Sequence, residues 1–262
     1  MNTSHGIAEV NGTTLFFEQA GHGQPIVFIH GFSLDSRMWE SQFETFARNY
    51  RVIRYDLRGF GRSAPVTHDP FDPVQDLKEL LDYLNVKSAT LAGLSLGGSV
   101  AIDFALAFPT YTTRLVAADS GLTGYPWLRG RPATEPAKIA ATEGIDAAKR
   151  QWLNTDLFVP ASEQPSVFAR LTEYVQDYSG WHWLNDNPVK LSHPPAIERL
   201  HHIDCPTLVI IGERDLQDFH EISNILCSKI PGATCCKIPG AGHMANLEDP
   251  LAFNAALFRF LE

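Results

Sequence analysis

The chain has 262 residues, 44% of them hydrophobic and 19% charged, which gives enough apolar surface for one large buried core and makes disorder a poor reading. Its net charge of −9, from 21 basic and 30 acidic residues with no Lys/Arg run, argues against nucleic acid as a partner. No apolar stretch reaches the roughly 18 residues of a membrane span and no basic-then-apolar leader pattern occurs, so the sequence predicts a cytoplasmic protein with no membrane partner.

In chain order, the turn-forming pair Asn11-Gly12 precedes the β-rich run "TTLFFEQAG" and predicts a small leading hairpin. Buried strands follow at "IVFIHG", "YRVIRYDLRG", "ATLAGLS", "TRLVAADSG", "TLVIIGERD" and "ATCCKIPGAGH". These runs are continuously apolar rather than alternating, as suits strands of a parallel sheet covered on both faces. Helices fall between them. In "DPVQDLKELLDYLNV" the residues Val74, Leu77, Leu80, Leu81 and Leu84 recur at helical spacing, with Asp72 as N-cap and Pro73 at the first helical position; Asp249-Pro250 repeats that opening near the C-terminus. Strand and helix alternation predicts an α/β fold built of right-handed crossovers.

Between about Leu122 and Ile203 the strand-like runs vanish, and four of the five tryptophans fall there: Trp127, Trp152, Trp181 and Trp183. The expected division is therefore a core of residues 1–121 and 204–262 with a helical cap inserted at 122–203. The cysteines Cys205, Cys227, Cys235 and Cys236 fit no zinc-ligand spacing and read as free thiols of a reducing compartment.

Gly93-Leu94-Ser95-Leu96-Gly97 matches G-x-S-x-G, with an apolar strand before it and a helical run after. A tight strand-to-helix turn strains its central residue and leaves no room for side chains two positions away on either side. Ser95 is then presented at the carboxyl edge of the sheet, over a helix N-terminus that favours developing negative charge. A serine hydroxyl needs a base, and the base needs an orienting carboxylate. Asp215, at the end of "LVIIGERD", is the preferred acid. Glu213 lies too close to the strand end and Asp218 reads as a helix cap, while Asp119, ending "LVAAD", is a genuine rival. His243 is the expected base: of ten histidines it alone follows the last strand in a glycine-rich loop, 28 residues beyond Asp215. The oxyanion of an acyl-transfer intermediate needs backbone donors, expected from the N–H of Leu96 and of Phe32. His30 is expected to brace the Phe32 loop rather than to catalyse.

Taken together, "HGF", "DLRGFGRS", "GLSLGG", "GERD" and "GAGH" resemble, in content and order, the α/β-hydrolase fold superfamily in its branch of small esterases, lactonases and C–C bond hydrolases. The overall flavour is that of 3-oxoadipate enol-lactonase-like carboxylic ester hydrolases. The resemblance implies a mostly parallel eight-stranded sheet flanked by helices, with Ser95, Asp215 and His243 at its carboxyl edge. It also implies that Asp56 and Arg58 are scaffold. A serine at the elbow separates the chain from dehalogenases and epoxide hydrolases that carry aspartate there.

The expected function is hydrolysis of a small carboxylic ester or lactone through an acyl-enzyme. Alternatives are C–C bond, thioester or perhydrolase chemistry on the same triad, or a ligand receptor derived from a hydrolase. Trp127, Trp181 and Trp183 are candidate pocket residues, with ordinary packing an equal explanation for each. No metal or organic cofactor is expected, since neither G-x-G-x-x-G nor a P-loop occurs. The expected partner is the small-molecule substrate; nothing in the sequence speaks to oligomeric state.

Overall fold

The computed structural model describes residues 3–262; Met1 and Asn2, part of the N-terminal stretch read for a leader and of the predicted core segment, lie outside the described residues. Strands β1 (Thr3–Val10) and β2 (Thr13–Ala20) form the predicted antiparallel hairpin. Its tip places Asn11 at φ 44° and Gly12 at φ 67°, the doubly left-handed turn that matches strand twist and that Asn-Gly tolerates best.

The sheet continues with β3 (Pro25–Ile29), β4 (Arg51–Tyr55), β5 (Ala89–Leu94), β6 (Thr112–Ala118), β7 (Thr207–Gly212) and β8 (Thr234–Ile238), in the spatial order β1-β2-β4-β3-β5-β6-β7-β8. All pairings from β4 onward are parallel, whereas β2 pairs antiparallel with both β1 and β4. Every residue of β5 and β7 is buried, as their unbroken apolar runs require. Strand β8 departs from that expectation. It pairs only with β7 at the sheet's edge, and Thr234, Cys235 and Lys237 are exposed.

Helices α1 (Glu40–Phe46), α2 (Pro73–Tyr83) and α3 (Leu96–Ala107) precede β6. Asp72 caps α2 by accepting the Val74 N–H at 2.8 Å, and Val74, Leu77, Leu80 and Leu81 turn inward as the spacing predicts. Between β6 and β7 run the helices α4 (Thr134–Glu143), α5 (Ile145–Leu153), α6 (Val159–Ser162), α7 (Pro165–Asp177), α8 (Trp181–Leu184) and α9 (Ala196–Arg199). After β7 come α10 (Gln217–Lys229), α11 (Ala245–Glu248) and α12 (Pro250–Leu261), the last capped by Asp249 onto the Ala252 N–H at 2.9 Å. Asp218 is not a cap. It sits in the first turn of α10 and accepts the Tyr125 hydroxyl and the Leu128 N–H, each at 2.9 Å, tying the segment after β6 to that helix.

Two of the four cysteines overturn the free-thiol reading: Cys227 on α10 and Cys235 on β8 form a disulfide, while Cys205 and Cys236 are free. Packing of α10 against the edge strand brings the pair together, a tertiary fact that a linear spacing of 8 does not announce. Among the described residues no helix is long and apolar enough to cross a membrane.

Candidate active site

Because β3, β5, β6, β7 and β8 are parallel, the residues that follow their last positions gather at one edge of the sheet. There lie His30, Gly31 and Phe32 after β3, Ser95 after β5, Asp119 after β6, Asp215 after β7 and His243 after β8.

Ser95 has φ 55° and ψ −113°, a positive-φ conformation that a serine adopts only when its surroundings force it. The forcing is visible in its glycines. A Cβ on Gly93 would strike the Gly97 carbonyl, and one on Gly97 would strike the Ile29 carbonyl of β3. The Ser95 N–H is anchored to the Ala118 carbonyl at 3.0 Å, and its own carbonyl accepts from Ser99 and Gly121. Ser95 Oγ makes no hydrogen bond to a described residue; nucleophile–base contacts are often long before substrate is bound and tighten in the complex.

His243 and Asp215 form a buried pair: Nδ1 lies 2.9 Å from Oδ2 and 3.1 Å from Oδ1, with side-chain exposures of 3% and 1%. The Leu216 N–H donates to the same carboxylate at 2.7 Å. An acceptor at Nδ1 places the imidazole proton there and leaves Nε2 as the basic nitrogen. Phe219 packs its ring on His243 at 4.2 Å, and Trp127 packs edge-on to Phe219 at 5.4 Å. The other acids considered from sequence stand apart. Glu213 is exposed and accepts the Gly240 N–H, whereas Asp119 is fully buried and accepts the Gly212 N–H at 2.7 Å.

Leu96 opens α3, where the first N–H groups lack intrahelical acceptors, and among the described residues none accepts the Phe32 N–H either. His30 braces this loop as expected. Its Nε2 accepts the Leu57 N–H at 2.9 Å, so its Nδ1 proton donates to the Gly31 carbonyl at 2.8 Å, and burial lowers its pKa. Asp56 holds the same region by accepting the Ser36 and Arg62 N–H groups, and Arg58 pairs with Asp76. Both are scaffold here.

The Phe32 ring is enclosed by aromatic side chains at centroid distances of 5.6 to 6.1 Å: Phe60, Trp152, Tyr178, His182 and Trp183. Of the tryptophans singled out from sequence, Trp183 belongs to this group and Trp127 to the His243 side. Among the described residues, Trp181 packs against the His182 ring alone of the aromatic rings. Sequence reasoning misses Trp152, Tyr178, His182 and Phe60 as neighbours of the Phe32 ring; the cluster "WHW" at 181–183 is the signal available for His182. Trp152 also donates its indole N–H to Ser33 Oγ at 2.7 Å, locking α5 onto the Phe32 loop.

His182 stacks on Phe60 at 4.5 Å, and burial drives its pKa down to about 4. The Tyr178 hydroxyl accepts the His182 backbone N–H and donates to Nδ1 at 2.9 Å, which assigns the ring proton to Nε2. The folded protein therefore takes up this proton later than the unfolded chain as pH falls, and stability is lost between pH 6.5 and about 4. We expect wild type to lose roughly 2 to 3 kcal/mol across that window relative to His182→Gln, read from urea midpoints. Parallel pH curves for the two proteins would contradict this.

The model of the alpha/beta hydrolase family matches residues 26–256. A 2-succinyl-6-hydroxy-2,4-cyclohexadiene-1-carboxylate synthase of Escherichia coli O9:H4 is 32% identical, covering 93% of this chain and 97% of that one. A 3-oxoadipate enol-lactonase of Acinetobacter baylyi is 28% identical over 88% and 86%. Among solved structures, a thermophilic esterase from Thermogutta terrifontis, with malate bound, superposes at TM-score 0.82 with 25% identity over 98% of both chains. Fold and strand-edge site thus define an α/β-hydrolase enzyme. The chain belongs to the alpha/beta hydrolase family.

Proposed function

We propose that the chain is a serine hydrolase that cleaves a small, uncharged carboxylic ester or lactone through an acyl-enzyme. The observation that carries this reading is the buried His243–Asp215 pair, set at the same sheet edge as the strained elbow serine. His243 Nε2 takes the Ser95 proton as Oγ attacks the carbonyl carbon. The backbone N–H groups of Phe32 and Leu96 stabilise the oxyanion. His243 then protonates the leaving alkoxide and next removes a proton from the water that attacks the acyl-enzyme. Asp215 keeps the ring oriented and stabilises the imidazolium.

Residues 122–203 act as a cap in this reading, and Trp152, Tyr178, His182 and Trp183 supply its wall around Phe32. Trp127 reaches the site only through Phe219, and Trp181 through His182, so both serve as outer supports. Two considerations favour an uncharged substrate. The arginines that join cap to core are already engaged, Arg37 by Asp35, Glu173 and Asp177 and Arg214 by Glu163. Asp215 also places a carboxylate beside His243, and burying a substrate carboxylate without a cation is expensive. The test is a panel of p-nitrophenyl esters and small lactones in which neutral members are matched with carboxylate-bearing ones. Neutral members should be turned over with at least about tenfold higher kcat/KM, equivalent to roughly 1.4 kcal/mol of discrimination. Preference for the carboxylate-bearing members would reverse the substrate assignment.

A further inference from the structure

Asp119 and Asp215 follow neighbouring parallel strands, β6 and β7, at the same sheet edge, and the Asp215 charge is felt at the Asp119 carboxyl. Asp119 is wholly inaccessible and held in a left-handed conformation, φ 42°, by its N–H bond to the Ile210 carbonyl at 2.8 Å. Its Oδ1 accepts the Gly212 N–H from the end of β7. Its Oδ2 is buried with no partner among the described residues, an arrangement that is costly for a carboxylate oxygen.

The ionisable side chain that acts most strongly on Asp119 is Asp215, and a carboxylate can only accept. Two carboxylates in contact away from water do not both ionise, so one must hold a proton. Donor supply decides which. Asp215 receives two donors, the His243 ring N–H and the Leu216 N–H, whereas Asp119 receives one backbone N–H and has an oxygen to spare.

We propose, on the basis of the Ser95–His243–Asp215 reading, that Asp119 is a positioning residue: a neutral carboxylic acid whose O–H donates to the Asp215 carboxylate and fixes that group against Nδ1 of His243. The acid pair then carries one negative charge and one shared proton. Burial first, and the Asp215 charge second, push the Asp119 carboxyl well above the ordinary carboxylate range. The other ionisable groups facing the pair are His243 and Glu248. Glu248 accepts the N–H groups of Gly242 and Met244 on either side of His243, and burial raises its pKa as well. Asp119 thus acts on the base through Asp215, while Glu248 acts on the loop that carries the base.

Three measurements test the assignment. Asp119→Asn keeps an uncharged donor at the same atom, so kcat/KM should stay within about fivefold of wild type and the acid limb of its pH profile should not move. Asp119→Ala removes the donor, and kcat should fall at least about tenfold with KM little changed. An ionised Asp119 gives different results: Asp119→Asn would then delete a negative charge beside His243 and shift the acid limb to lower pH, which overturns the proposal, as does an unchanged kcat in Asp119→Ala.

The third measurement needs no turnover. At neutral pH, an infrared difference spectrum between the Ser95→Ala protein and the same protein also carrying Asp119→Asn should contain the C=O stretch of a protonated carboxyl group. A difference made only of carboxylate bands overturns the proposal. Because this readout is independent of activity, it stands whether or not Ser95 is the nucleophile, and it decides the matter even if Asp119→Ala fails to fold. An active Ser95→Ala enzyme, in contrast, refutes the triad reading itself.

Discussion

Ser95→Ala should lose about six orders of magnitude in kcat on any ester the wild type hydrolyses, the magnitude expected when the nucleophile of a triad is deleted. Its fold should survive. Alanine tolerates the positive-φ elbow about as well as serine does, and Ser95 Oγ makes no hydrogen bond to a described residue that the change would orphan. The comparison is clean only if the thermal midpoint of the variant stays close to that of wild type, which differential scanning fluorimetry measures directly. A folded variant with wild-type turnover would place the nucleophile elsewhere and remove the basis for the acyl-enzyme.

The second large effect is expected at the acid. Asp215→Asn should reduce kcat by about four orders of magnitude with little change in KM, as asparagine does in place of the aspartate of other triads. The side chain is 1% exposed, so it does not bear on ground-state binding of substrate. Asparagine can turn its NH2 toward Nδ1, which moves the imidazole proton to Nε2, the nitrogen that must be free to act as base. It also removes the charge that stabilises the imidazolium. Single-turnover kinetics separate this loss from slow product release. If Asp215→Asn keeps activity and Asp119→Asn is dead, the catalytic acid lies after β6 instead.

That these two aspartates compete at all marks the limit of what the chain announces. The elbow was legible because its constraints are local: Gly93 and Gly97 are required by backbone atoms within a few residues or on the adjacent strand, and glycine is the residue that meets such a requirement. Strand count and order of motifs were legible for a similar reason, each apolar run being long enough to specify itself. Asp119 and Asp215, however, both end a buried strand. Only the tertiary arrangement, with Asp215 on Nδ1 of His243 and Asp119 against the Gly212 N–H, distinguishes them.

The wall around Phe32 was less legible still. Trp152 faces Ser33 and Trp181 does not, yet nothing in their immediate neighbours encodes the difference, because the short helices α5 and α8 are oriented by packing rather than by their own periodicity. The disulfide falls in the same class. Cys227 and Cys235 meet because a helix lies on an edge strand, and β8 read as a fully covered strand although its outer side has no neighbour.

The bond from Trp152 to Ser33 joins two stretches of chain with separate duties. Ser95, Asp215, His243 and Phe32 come from turns that the sheet fixes, whereas Trp152, Tyr178, His182 and Trp183 come from one uninterrupted stretch, 152–183. On the proposed reading, exchanging this single cassette should alter which acyl groups are accepted while leaving the reactive groups in their places. Such a graft must respect the indole that grips Ser33 and the carboxylates Glu163, Glu173 and Asp177 that hold Arg214 and Arg37, for through these bonds the interchangeable part is latched to the permanent one.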